Sequence, residues 1–206
     1  DTIAPDGSTT ADKLLETAET NAHRFLDGAT TTAAAWTASF YAKGGLGRDW
    51  VAVAITDSGG AAKYCFFDIA NGVLGTQETG ITGKITAVGN GWYRCESTID
   101  TAQAGNNNIT FTVAENNGSK VYAGDITKGA YFWGMQIEQG GHSHSYIKTE
   151  ASTVTRNATR LSATKAFNGN ALSVQMKGTF NFSADDVKAS TYTLVSLNST
   201  VNGGSN

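Results

Sequence analysis

Several side chains in this sequence are suited to gripping a ring-shaped polar ligand. Flat aromatics (Tyr41, Trp50, Trp92) offer an apolar face, and Lys43, Arg94, Gln136 and Glu138 offer directional hydrogen bonds. Strand alternation decides which of them leave the core. If Val51, Val53 and Ile55 point inward, Trp50 points outward. If Tyr93 and Cys95 point inward, Trp92, Arg94 and Glu96 point outward. If Trp133, Met135 and Ile137 point inward, Phe132, Gln136 and Glu138 point outward. Tyr41 and Lys43 face outward by the same logic. On one sheet, these outward residues would form a single patch. The competing reading of Trp92, Arg94 and Gln136 is framework: ring packing with a buried Arg–Glu or Arg–Gln hydrogen-bond network.

Metal and acid–base chemistry have thinner support. His142-Ser143-His144 is an alternating pair in a Gly-flanked loop, a pattern able to bind metal. Two His without a nearby Cys or paired carboxylate make a poor closed site in one chain, so an exposed loop is the competing reading. Asp6, Asp12, Asp68, Asp125 and Glu138 are available to a structural calcium ion, with Asp6 and Glu138 the pair named first, but no dense acidic loop is present. No cofactor is required by any motif. His23, His142 and His144 lie in neither a Gly-x-Ser-x-Gly nor a His-Glu-x-x-His context. Glu96 and Glu138 on adjacent strands are the pair a glycosidase would need, so a hydrolase or lyase is the least favoured reading and no enzyme is expected. Gly44-Gly45-Leu46-Gly47 and Gly203-Gly204 precede no helix, so they read as turns and not phosphate cradles.

The elements that must position these residues are strands. The chain has 206 residues, 24 of them Gly and only 1 Pro, a composition suited to short strands joined by Gly/Asn turns. Trp36, Ala38, Phe40 and Ala42 alternate with Thr37, Ser39, Tyr41 and Lys43. Further alternating runs cover Trp50–Asp57, Lys63–Ile69, Ile81–Val88, Trp92–Ile99, Ile109–Val113 and Tyr131–Glu138. Asn71-Gly72, Asn90-Gly91 and Asn116-Asn117-Gly118 mark turns. Thr10–Glu16 is the one stretch that reads as a turn of helix. Six or seven strands at roughly ten-residue spacing predict an all-β antiparallel sandwich or jelly roll. Cys65 and Cys95 fall in strand-like runs and read as two buried thiols, with a disulfide the lesser reading.

Charged residues make up 16% and the net charge is −3, with no basic stripe, so nucleic-acid binding lacks support. No apolar run approaches the ~18 residues of a membrane helix, so membrane insertion is not expected. Without a starting Met or a signal pattern, the chain is expected to begin inside a longer protein or after processing. The texture changes after about Leu161. Leu172–Phe182 and Tyr192–Leu197 alternate again, but some 45 residues cannot hold a core alone. The expected division is therefore 1–162, one sandwich domain, and 163–206, strands of a truncated second sandwich or a C-terminal extension.

Three pieces carry a family resemblance. They are Ala4-Pro5-Asp6-Gly7-Ser8-Thr9-Thr10-Ala11-Asp12-Lys13-Leu14; Gly91-Trp92-Tyr93-Arg94; and Phe132-Trp133-Gly134-Met135-Gln136-Ile137-Glu138-Gln139-Gly140 with Ser145-Tyr146-Ile147-Lys148-Thr149 and Val154-Thr155-Arg156. In this order they resemble jelly-roll domains of bacteriophage tail fibres and other virion proteins, which are similar to carbohydrate-binding modules of the xylan- and glucan-binding type. Lys148 stands where that family usually has Pro. The stretch after Leu161 resembles the opening of a laminin-G- or lectin-like sandwich. The resemblance implies a non-catalytic adhesin at the virion surface or outside the cell. Its expected partners are a host polysaccharide or glycan and other virion proteins, and a homotrimer is allowed. Some trimeric phage spikes and fibres also hold iron on their axis by a His-x-His from each chain, a role for His142 and His144 that is disfavoured here. A purely structural virion or oligomerisation domain is the alternative.

Overall fold

A computed structural model describes residues 2–149, 152 and 154–155. Its twelve strands are β1 (Asp12–Leu15), β2 (Thr20–Asn21), β3 (His23–Thr31), β4 (Trp36–Leu46), β5 (Trp50–Thr56), β6 (Ala62–Asp68), β7 (Val73–Gln77), β8 (Ile81–Gly89), β9 (Trp92–Ile99), β10 (Gly105–Ala114), β11 (Tyr122–Ala123) and β12 (Gly129–Gln139). The first sheet runs β1-β12-β4-β9-β8 and the second β3-β10-β5-β6-β7, with β11-β2 as a small ribbon. The paired strands are antiparallel, and the two large sheets pack face to face as the all-β sandwich that the alternation predicts.

The core is assembled from the inward members of each alternating run. Ala38, Phe40 and Ala42 of β4 meet Val51, Val53 and Ile55 of β5 and Cys65 and Phe67 of β6. Phe40 sits at the centre: its ring lies 5.8 Å from Phe67, 5.4 Å from Phe111 and 5.8 Å from Phe132. One ring thus ties together strands of both sheets, and each such burial contributes roughly 1.5–3 kcal/mol. Cys65 and Cys95 are both free and fully buried, one from each sheet. Burial pushes the Cys65 thiol up to about 12, so it packs as a small hydrophobe and not as a nucleophile. Asn90 and Gly91 both adopt positive φ (52° and 76°), the two-residue hairpin geometry that delivers β9 back alongside β8.

Two local expectations are corrected. Asp12–Leu15 is an edge strand paired with Gly129–Phe132, not a turn of helix, because the sheet edge supplies backbone partners that override weak helix propensity. Phe132 is buried in the core and Trp133 faces outward, the reverse of the expected phase. The cause is a bulge in β12: pairing with β4 shifts between Trp133 and Gln136, and Gly134 carries φ 59°. One extra residue flips the alternation, so Met135 and Ile137 return to the core while Gln136 and Glu138 face out as expected. The runs Leu172–Phe182 and Tyr192–Leu197, and the division at 162/163, lie outside the described residues.

Candidate functional site

Part of each outer sheet face is covered by the chain itself, while outward side chains of β8 (Thr82, Lys84, Thr86) and β3 (Arg24, Leu26) are exposed. On the second sheet, Trp50 packs with Ala52, Ala54, Tyr64, Phe66 and Ala114. Gly75 passes so close that a methyl group there would stand 2.5 Å from the Trp50 ring. Lys120 Nζ lies 3.6 Å above the Tyr64 ring and 3.2 Å from Glu78. Trp50 is therefore on the opposite sheet from the other expected ligand residues, half-buried with its ring lying against Gly75 of β7.

On the first sheet, Trp92 faces outward as expected but is only 2% exposed. Ala4 and Ala11 close over it, and its Nε1 donates to the Ile3 carbonyl at 2.9 Å. It anchors the N-terminal arm and presents no free ring face. Lys43 is half-buried, its aliphatic arm lying beside Gly91.

Arg94, Gln136 and Glu138 hold down the segment Gly140–Thr149. Arg94 Nη2 donates to Ser143 Oγ at 2.9 Å and to the His144 carbonyl. Ser143 in turn donates to Glu96. Gln136 Nε2 donates to Glu138 Oε1 at 2.9 Å, while its Oε1 accepts from Ile147 N at 2.9 Å. Glu138 accepts from His144 N at 2.7 Å and meets His144 Nδ1 at 2.6 Å. The network lacks the direct Arg–Glu or Arg–Gln bond of the framework reading: Arg94 reaches Ser143 and His144 of the following loop, while Gln136 and Glu138 bond each other. Glu96 on β9 and Glu138 on β12, the carboxylates a glycosidase would need, are separated by β4 and not on adjacent strands as expected, and both are engaged in this network. His142 and His144 rings stand 4.9 Å apart. Among the described residues no three His, Cys, Asp or Glu side chains gather as a metal cluster. Asp6, Asp68 and Asp125, raised as calcium ligands, accept hydrogen bonds within their own turns, from Ser8, from Ala70 and Asn71, and from Thr127.

What the strapped loop leaves open is a groove of about 840 Å³ beside it. That volume falls within the ordinary range of small-molecule sites. Pro5, Asp6, Ser8 and Thr10 of the N-terminal arm, the β12 bulge and residues of the segment after β12 (Tyr146 and Lys148 among them) line it, with Asp12 from β1 and Asp27 from β3, the edge strands of the two sheets. Three half-buried rings stand in it. Tyr41 and Trp133 centroids are 5.2 Å apart and Trp133 and Tyr146 4.7 Å apart. Trp133 is fixed by Nε1–H donation to Thr10 Oγ1 at 3.0 Å, and Arg94 lies 5.8 Å over Tyr41. Gly134 is where the rings converge, with Tyr41 and Tyr146 carbons within 3.2–3.4 Å of where a Cβ would sit. The Ser8 hydroxyl and amide hold the Asp6 carboxyl below its ordinary value, with a smaller effect from Lys148.

Of the expected ligand residues, only Tyr41 lines this groove. Trp133, Tyr146 and Asp27 were not singled out as ligand residues from the sequence, and Asp12 was named only for calcium. The available signal was Gly134 inside a strand pattern, which marks a bulge and so moves Trp133 to the outside. A scan against family models finds no match, and a search of the curated proteins finds none either.

Proposed function

We propose that this chain is a non-catalytic carbohydrate-binding domain that recognises a host-surface polysaccharide as part of a phage fibre or other virion-surface protein, and that the ligand lies in the groove. The observation that carries this reading is the Tyr41–Trp133–Tyr146 ring cluster in an open groove edged by Ser8, Thr10, Asp12 and Asp27. Rings of this kind stack on the apolar face of a pyranose, and the flanking hydroxyls and carboxylates suit its hydroxyl groups. The jelly-roll resemblance of the Trp92-Tyr93-Arg94 and Phe132–Gly140 segments supports the same reading.

A structural virion or oligomerisation role is favoured by a different observation: Trp92, Arg94, Gln136 and Glu138 are engaged by the chain's own segments. A glycan-array screen followed by Trp-fluorescence titration, with and without Ca²⁺, separates the two. Saturable binding to one glycan class supports the adhesin role. Flat titrations across bacterial, plant and algal glycans move the weight to the structural one.

A further inference from the structure

We infer that the groove selects a glycan bearing free, protonated amino groups over its N-acetylated or uronic-acid counterpart. This rests on the carbohydrate reading above and deepens it. Charge and ring placement in the groove argue for it together. Three carboxylates reach the groove from separate parts of the chain: Asp6 from the N-terminal arm, Asp12 from the edge of the first sheet and Asp27 from the edge of the second. Lys148 is the one cation lining the groove among the described residues. It lies near enough to Asp6 to help lower that carboxyl. Asp12 and Asp27 have no side-chain hydrogen bond or ion pair among the described residues.

Surface carboxylates alone would be solvated and unselective. Here they edge a cavity that also holds three aromatic rings. A ring face carries partial negative charge and attracts an ammonium group within about 6 Å of its centroid. A hexosamine lying with its C–H face on Trp133 can direct its ammonium group toward an unpaired carboxylate, while Ser8 and Thr10 stand near its hydroxyls. N-acetylation removes the charge and adds bulk. A uronate meets three carboxylates against one lysine, Lys148, and like-charge contact is the device by which binding sites reject wrong partners.

The test is isothermal titration calorimetry of the full chain at about pH 6, where carboxylates are ionised. The probes are a glucosamine tetramer, the same tetramer fully N-acetylated, and a galacturonic-acid tetramer. The amine form is expected to bind about tenfold tighter than the N-acetylated form, with affinity falling as salt rises, and the uronate weakest. Asp12→Asn and Asp27→Asn are each expected to weaken amine binding several-fold, with thermal unfolding confirming that both variants fold. Equal binding of amine and N-acetyl forms, or a preference for the uronate, overturns the inference while leaving the carbohydrate reading standing. An unchanged amine affinity in both Asn variants also overturns it. No binding by any tetramer, together with a flat glycan array, removes the carbohydrate reading and this inference with it.

Discussion

Two neighbouring regions of the first sheet use similar residues to opposite ends. Over β9 and the end of β12, Arg94, Glu96, Gln136 and Glu138 are tied to the segment Gly140–Thr149 by short hydrogen bonds. Beside it, at the β12 bulge, Trp133, Tyr41 and Tyr146 stand in an open groove where Asp12 and Asp27 have no partner among the described residues. The first region holds the chain together and the second is free to hold something else. Residue type does not separate them. What separates them is that the following segment bonds the outward polar side chains of the first, while Asp12 and Asp27 at the second bond no side chain among the described residues.

The largest expected effects lie where the chain is closed on itself. Trp92→Ala removes a buried ring and frees the N-terminal arm, and should cost about 3–5 kcal/mol of stability in urea unfolding. A milder loss would mean that the arm is held elsewhere. Glu16→Gln should cost about 3 kcal/mol or more by the same measurement. The Glu16 carboxylate accepts from Arg48 Nε at 2.5 Å, Arg48 Nη2 at 3.0 Å, Tyr122 OH at 2.6 Å and Asp125 N at 2.8 Å, with a side chain fully buried.

The same carboxylate makes stability fall in acid. Burial alone would raise its pKa, but the bonds from Arg48, Tyr122 and Asp125 outweigh that and hold it below the ordinary 4.5. A depressed folded value means that the contribution is fully present above about 4.5. It is lost as pH falls through the folded value. Thermal unfolding against pH should therefore drop below pH 4.5 in the parent chain and less steeply in Glu16→Gln.

A smaller effect sharpens the groove side of the comparison. Gly134→Ala places a side chain at φ 59° against Tyr41 and Tyr146. It should cost about 1–2 kcal/mol and weaken glycan binding more than stability. The smallest belongs to Lys84–Glu96, 3.7 Å apart with the lysine side chain 56% exposed and the glutamate 14%. Lys84→Ala should change urea stability by less than about 1 kcal/mol.

Much of the fold was legible because period-two patterning is enforced by burial. Phe40, Val51, Val53, Ile55, Cys65 and Phe67 all lie on the predicted inner face. Asn90-Gly91 marked its hairpin because few other dipeptides accept two positive φ values. The candidate site was less legible, for two physical reasons. A single-residue bulge reversed the facing of Phe132 and Trp133, and alternation carries no information across such a break. Direction away from the core is also not exposure. Trp92, Arg94 and Gln136 face outward, yet segments distant in sequence, around Ile3 and Ser143–Ile147, fold over them. Local patterning in β9 or β12 holds no trace of that covering.

The most direct test of the groove as the binding site is calorimetric titration of a glycan that binds the parent chain, repeated on Trp133→Ala, Tyr146→Ala and Trp50→Phe. The account predicts that both groove variants lose at least about tenfold in affinity while retaining a cooperative unfolding transition, and that Trp50→Phe binds as the parent does. Undiminished binding by folded Trp133→Ala and Tyr146→Ala, or loss confined to Trp50→Phe, would contradict it and return the site to a sheet face.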